Sequence, residues 1–412
     1  VIVSSFVELA RAAQAARLAR PDVPLALATL VQVDGSSYRQ PGARLLVDAD
    51  GRVLAGAVSG GCLEGDVAAR AAEVCASGRA VRLMYDLRSD LEAIWGFGAR
   101  CDGIAHLLLE PLPDWRWMAQ VEAVRARRHG GAVVVRLDAH GSGATCAVLD
   151  GDSTTGRWHL LHDDARHMPL PELGGLAHTV RRTGHALLHP LGDDVTVFVE
   201  PLLAPVALHC VGAGRGAEAF ARIAHTLGWQ VTILDHRPAL LEGLVVPEGV
   251  TLRQVRQLDA VHTAISELPH DERTAVALLS HIFDVDAAWL GASLPLPFGY
   301  VGVLGSRARA RQLVDHVAHH LTALGTPLTA RQQRKLHAPI GLDLGGETPA
   351  SIALAAVAEI EAVMHARPAG FLRERQSPIH MRTPTPQLLA DDPATTLLDQ
   401  PLRCDLPEYP AN

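Results

Sequence analysis

Residues 206–235 read VALHCVGAGRGAEAFARIAHTLGWQVTILD, and this stretch decides the fold of the C-terminal half. An apolar run breaks at a glycine turn, apolar residues then recur at helical spacing, and a second apolar run ends at Asp235. Strand, turn, helix and strand in that order make a βαβ unit, whose crossover implies a parallel sheet. The turn is Gly212-x-Gly214-x-x-Ala217. Gly212 suits a tight turn, Gly214 admits a pyrophosphate close to the backbone, and Ala217 allows close helix–strand packing. Asp235 stands at a strand end, where an acidic side chain can bind ribose hydroxyls. The expectation is a Rossmann-like domain with Gly212, Gly214 and Asp235 as binding residues for a nucleotide or dinucleotide.

The chain beyond it keeps the alternation. TAVALLS (274–280) and YVGVLG (300–305) read as strands, and DAAWLGASL, SRARARQLVDHVAHHL and ASIALAAVAEIEAVM as helices. GVLGSRARARQ repeats the strand–turn–helix logic, with Gly305 and Ser306 at a helix start able to hold an anion. Arg307, Arg309 and Arg311 can add phosphate contacts there, or form a solvated basic face behind an ordinary cap. His281 follows a parallel strand at its carboxyl end, where ligands bind in such sheets, though a structural histidine fits as well. HAPIGLDLGGETPASIA (337–353) sets a glycine-rich loop before Thr348 as N-cap and Pro349 at the first helical position. From Gly370 onward prolines accumulate without periodicity, the composition of a disordered tail.

Upstream the pattern is mixed α/β. An amphipathic helix (6–20) precedes strands over 25–33, 44–48, 52–58 and 81–85. The next stretch, 133–199, is rich in strand signals such as AVVVRL and VTVFVEPL, and LLAPV (202–206) reads as a linker. In VSGGCLEGDV (58–67), Gly60 and Gly61 allow close backbone approach, and Cys62 sits where a helix begins. The helix dipole and amide donors there favour a thiolate; the same residues also read as a tight turn around a small packed thiol. GSSYRQPGARLLV (35–47) brackets a Pro41-Gly42 turn with Arg39 and Arg44, a pair suited to a phosphate oxyanion or to surface ion pairs. WGFGARCDG (95–103) places Cys101 in a further glycine-rich loop.

Bulk properties narrow the classes. The chain has 412 residues, 48% of them hydrophobic, which supports two domains with buried cores. A net charge of −8 argues against nucleic acid as the main partner. The longest apolar run, 23–31, is too short for a bilayer, and the first residues lack the basic start of a secretory signal, so a cytoplasmic protein is expected. The six cysteines show no C-x-x-C pair, so free thiols are expected. No Gly-x-Ser-x-Gly elbow, Walker loop or His-Glu-x-x-His is present, which removes the self-contained hydrolases of those types.

Taken in order, GSSYRQPGARLLV, SGGCLEGDV, WGFGARCDG, VGAGRGAEAFA, GYVGVLGSR and HAPIGLDLGGETPASIA resemble the XdhC/CoxI family, accessory proteins of xanthine dehydrogenase and related molybdenum hydroxylases. The resemblance spans roughly 25–366 and implies an N-terminal XdhC/CoxI-type domain (1–203), a Rossmann-like domain (204–369) and a tail (370–412). It implies a chaperone that binds molybdenum cofactor (molybdopterin), protects it during sulfuration by a cysteine desulfurase, and inserts it into the apo-hydroxylase. Homodimers are compatible with that role. Cys62 and Cys101 match the family cysteines, with Cys62 the candidate molybdenum or sulfur ligand. Arg39, Arg44, Gly60 and Gly61 would then surround the pterin phosphate. The departures are Gln40, Arg100, Asp102, Arg215-Gly216 and Ile282, at positions where the family often has other residues. The competing class is an NAD(P)-dependent oxidoreductase built on Gly212, Gly214 and Asp235; a third is an interaction scaffold with an empty Rossmann domain.

Overall fold

The computed structural model describes residues 6–87, 103–138, 145–151, 158–163, 170–191, 195–376 and 395–397. Cys101, Arg100, Asp102 and most of the tail lie outside these residues. The chain divides into two compact units, one running to Leu203 and including the strand Thr395–Leu397, the other Ala204–Glu374.

The first unit begins with α1 (Phe6–Ala19), β1 (Leu25–Gly35), β2 (Arg44–Asp48), β3 (Val53–Gly56), α2 (Glu64–Ser77), β4 (Val81–Asp86) and β5 (Gly103–Pro111). It continues with α3 (Trp117–Arg127), β6 (Gly131–Asp138), β7 (Thr145–Gly151), β8 (Trp158–Asp163), α4 (Leu170–Thr183), β9 (Leu187–Pro190) and β10 (Val195–Leu202). Two sheets result: the 395–397 strand followed by β4-β5-β1-β2-β3, and β8-β7-β6-β10-β9. β1 is buried from Leu25 to Gln32 without alternation, because its sheet is covered on both faces. Ala26, Ala28 and Leu30 face α2 through Val67, Ala71 and Val74, while Leu25 and Leu27 share a core with α1, α3 and the second sheet. α2 closes at Gly78, whose φ of +66° supplies the left-handed cap that glycine adopts without strain.

α4 corrects the strand-rich reading of 133–199. The Gly174-Gly175 pair interrupts its helical pattern in sequence, yet Leu173, Ala177 and Val180 form one buried stripe. Gly174 is needed for packing, since a Cβ there would lie 2.8 Å from the Trp158 ring.

The second unit contains β11 (Ala207–Val211), α5 (Arg215–Thr226), β12 (Gln230–Asp235), α6 (Pro238–Glu242), β13 (Thr251–Gln254), α7 (Val261–Ser266) and β14 (Thr274–Leu278). It is completed by α8 (Phe283–Ser293), β15 (Tyr300–Val303), α9 (Arg307–Ala323), α10 (Ala330–Arg334), β16 (Leu336–His337) and α11 (Pro349–Met364). The sheet order is β13-β12-β11-β14-β15-β16, and every pairing is parallel. That order is the doubly wound Rossmann arrangement, with the crevice at the switch between β11 and β14. α5 and α11 bury Phe220, Val357 and Ile360 on one face; α7, α8 and α9 bury Val261, Trp289 and Leu313 on the other. Among the described residues no helix is long and apolar enough to cross a membrane.

Candidate functional site

The parallel sheet brings the glycine turn, His281, the Gly305–Ser306 turn and the 338–348 loop to its carboxyl edge. Gly212 has a φ of +114°, and a Cβ there would lie 2.7 Å from the Leu279–Ser280 backbone. This turn therefore requires glycine for conformation and for close approach. A Cβ on Gly214 would meet nothing within 4 Å, so the turn is open where the α5 amides begin.

Asp235 is not presented to solvent as a ribose ligand. Its side chain is 1% exposed, and Arg237 closes on it with Nε and Nη2 each 2.9 Å from a carboxylate oxygen. The Ala213 amide donates to it at 2.7 Å and the Arg237 amide at 2.9 Å. Burial works against ionisation, but the Arg237 guanidinium and these amides outweigh it and hold the carboxyl at about 2. Asp235 thus ties the glycine turn to the end of β12. Arg237, two residues along, is the partner that the sequence reading missed; only the DHR triplet hinted at it.

The second turn is also internally satisfied. Ser306 caps α9 by accepting from the Arg309 amide, and the Arg309 guanidinium donates at 2.7 Å to Asp286, which is fully buried. The Ser280 hydroxyl donates to the other Asp286 oxygen at 2.6 Å, joining the ends of β14 and β15. Arg309 is therefore a structural tie, and exposed Arg311 lies 3.9 Å from Asp315. His281 is exposed with a φ of +59°, the left-handed region that few side chains adopt.

In the first unit the strand directions decide what meets what. β2 is antiparallel to both β1 and β3, and β5 is antiparallel to both β1 and β4. Hence β1, β3 and β4 all finish at one end of the sheet, where β2 and β5 begin. The Gly35–Ala43 turn and the 57–63 loop belong to that end, where β4 also finishes and β5 starts; Cys101 falls outside the described residues. Tyr38, 67% exposed, sits beside Gly60, whose Cβ position is 3.7 Å from the ring. The Arg39 guanidinium lies 5.6 Å from the centre of the same ring. Gly61 has a φ of +114° with open space beside it, and Cys62 is half-buried against the α2 core.

The loop is held from within. The Ser59 hydroxyl accepts from the Gly61 and Leu63 amides, both at 3.1 Å, and donates to Glu64. Glu64 also accepts from the Val58 and Ser59 amides. Burial opposes the charge, yet the Ser59 hydroxyl and these amides hold the Glu64 carboxyl below its usual range. The Gly61 and Leu63 amides on either side of Cys62 are thus taken up by Ser59, and the Glu64 carboxylate sits at the helix start. Glu64 escaped the sequence reading because Ser59 and Glu64 are five apart, not the three of a capping box.

Arg44 departs furthest from expectation. It is 1% exposed and pairs with Glu200 of β10, so it is not an open phosphate ligand beside the Pro41-Gly42 turn. Nearby, His106 lies 2.9 Å from Asp34, and Gln32 donates to the same carboxylate at 2.8 Å, closing a polar group at the end of β1.

Comparisons with known proteins agree with this layout. Residues 18–86 match the family described as XdhC and CoxI, and residues 208–360 match the XdhC Rossmann domain. A protein of Bacillus subtilis (strain 168), named as a probable subunit of xanthine dehydrogenase, is 30% identical over 345 residues, covering 81% of this chain and 91% of the relative. Uncharacterized protein YqeB of Escherichia coli (strain K12) is 26% identical over 187 residues, 45% of this chain and 32% of its own. A solved structure described as a xanthine dehydrogenase from Bacillus halodurans superposes with a TM-score of 0.66 at 25% identity, covering 89% of this chain and 97% of that one.

Proposed function

The chain belongs to the XdhC and CoxI family, and from that premise we propose that it is an accessory chaperone in the maturation of a xanthine dehydrogenase-type molybdenum hydroxylase. In this reading it holds molybdenum cofactor as cargo, shields it while a cysteine desulfurase supplies sulfur, and passes it to the apo-hydroxylase. The observation that carries the reading is the meeting of two glycine-containing connections, 35–43 and 57–63, at one end of the six-stranded sheet, with Cys62 half-buried in the second.

The residues fit such a cargo in part. Cys62 offers a soft sulfur beside glycines that leave room for a ligand, and Arg39 adds a cation next to Tyr38. Arg44 does not join them, since its charge is engaged by Glu200. The Ser59–Glu64 bonds fix the loop so that its thiol needs no reordering on binding. The hydroxylase and the desulfurase are the partners this role requires, and a homodimer is compatible with it.

The test is to purify the full chain from cells that make molybdenum cofactor, and to measure molybdenum and pterin per chain. Stoichiometric cargo in the wild type, with loss in Cys62→Ala, is expected. Wild-type protein free of both, together with a client hydroxylase that matures normally in its absence, would refute the reading.

A further inference from the structure

The second unit has a cavity of about 280 Å³ at the carboxyl ends of β11, β12, β13 and β14. Leu234, Val255, Leu258, Val261, Val285 and Trp289 make its apolar wall. That volume lies at the small end of ligand sites, enough for a nucleobase and sugar but not a whole dinucleotide. The mostly apolar wall suits the flat face of a nucleobase, and adenine is the base of the common nucleotides that carry a phosphate on the ribose. Gly212 borders the cavity, so a base inside it leads by way of its ribose to the open Gly214 turn and the first amides of α5.

Asp235 sets the chemistry of the ribose. A carboxylate offers about four acceptor sites. Here the Ala213 amide and the Arg237 amide, Nε and Nη2 fill them, with His236 Nδ1 a further 3.3 Å contact. A vicinal diol therefore finds no acceptor on Asp235. The guanidinium that engages the carboxylate cancels its charge, and His236 and Arg256 border the same cavity. Asp284 is the opposing acid on its wall. Arg256 is exposed, with Nε 3.2 Å from the Gln254 side-chain oxygen.

We propose that this unit binds an adenine nucleotide whose ribose itself carries a phosphate. The base enters the cavity, the ribose phosphate meets His236 and Arg256, which border it, while Arg237 stays on Asp235, and the 5′-phosphates lie at Gly212–Gly214. The same chemistry occurs in NADP-type dinucleotides, phosphorylated at the 2′ position, and in the 3′-phosphoadenosine of coenzyme A. The proposal concerns a site separate from the Cys62 loop and stands whether or not cargo binds there.

Calorimetry on the full chain with NADP⁺, coenzyme A, NAD⁺ and 5′-ADP tests it. One of the first two should bind at least about tenfold tighter than NAD⁺ and ADP, since one charged hydrogen bond carries that much. Tighter NADP⁺ assigns the 2′-phosphate, and tighter coenzyme A the 3′-phosphate. Arg256→Ala, at an exposed position, should remove most of the preference, weakening the phosphorylated ligand at least about fivefold more than it weakens ADP. Arg237→Ala should free Asp235 and improve NAD⁺ binding relative to the phosphorylated ligand. Equal or tighter binding of NAD⁺ by the wild type, or no binding of any of the four at millimolar concentration, would overturn the proposal.

Discussion

Arg44 and Glu200 stand 156 residues apart in sequence and form a buried ion pair, with Arg44 Nη1 2.9 Å and 3.0 Å from the two carboxylate oxygens. The same nitrogen donates to the Gly42 carbonyl at 2.9 Å, and the guanidinium stacks 4.6 Å from the centre of the Phe6 ring. Gly42, at a φ of +98°, leaves the space that Glu200 fills: a Cβ there would sit 2.7 Å from Oε2. Burial pushes the Glu200 carboxyl upward against the pull of Arg44. The pair fastens the Pro41-Gly42 turn to β10.

Removing one partner should therefore unfold before it weakens any ligand. Arg44→Ala is expected to cost the first unit about 3–5 kcal/mol, the usual penalty for stranding one member of a buried pair. Because the pair is shielded, added salt should change that loss little. The double substitution Arg44→Met/Glu200→Leu should recover most of the stability. Urea midpoints in low and high salt provide the check, and a salt-sensitive loss in Arg44→Ala would contradict the burial argument.

Asp235 gives the second unit a defined acid response. Its folded carboxyl ionises at about 2, below the ordinary 3.8, so the folded state binds its proton less readily than the unfolded chain. The stabilisation is complete above about pH 4 and disappears as pH falls toward 2. Its size is about 2–3 kcal/mol, from the energy of a pKa difference. Unfolding free energy measured between pH 5 and pH 2 should show this loss in the wild type, and Asp235→Asn should flatten it.

The two glycines of the turn separate architecture from binding. Gly212→Ala meets both a positive φ and the Leu279–Ser280 backbone, and should cost about 2 kcal/mol or more. Gly214 has a φ of −74° and open space, so Gly214→Ala should leave the melting temperature within a degree or two, as small surface changes do. If a phosphate approaches that turn, Gly214→Ala should nevertheless weaken it. Thermal melts paired with nucleotide titrations distinguish the two effects.

The sequence made the second unit readable because its signals are contiguous: the turn, helix and strand of 206–235 lie in one run. What it could not display is who receives each charge. Glu200 reaches Arg44 only through the packing of two sheets, and Asp286 reaches Arg309 across two strand ends. The meeting of the 35–43 and 57–63 connections with the ends of β4 and β5 depends on β5 inserting between β4 and β1, an order that no local pattern encodes. α4 was hidden by a glycine pair whose purpose, clearance for Trp158, exists only in the folded unit.

Cys62 carries the sharpest test, because two other cysteines offer an internal comparison. Cys75 lies on α2, the helix after the Cys62 loop, where burial pushes its thiol upward, and Cys210 is enclosed in β11 of the second unit with its thiol pushed up to about 12. Cys62 is half-buried at the loop that Ser59 and Glu64 hold, with Gly61 open beside it. Of these three, an alkylating reagent at pH 8 should modify Cys62 first, Cys75 slowly, and Cys210 only on unfolding. Cys62→Ala should shift stability by less than about 1 kcal/mol, since little packing is lost. Glu64→Ala should do more, about 1–2 kcal/mol, because it releases the Val58 and Ser59 amides and the Ser59 hydroxyl at a helix start. The decisive measurement sets these variants against client activity. If Cys62 holds cargo or sulfur, Cys62→Ala stays folded but yields hydroxylase with little active cofactor, Glu64→Ala gives a partial loss, and Cys75→Ala delivers normally. Full client activation by Cys62→Ala would leave the cysteine as packing for α2, and the glycines as a turn that needs no ligand to explain it.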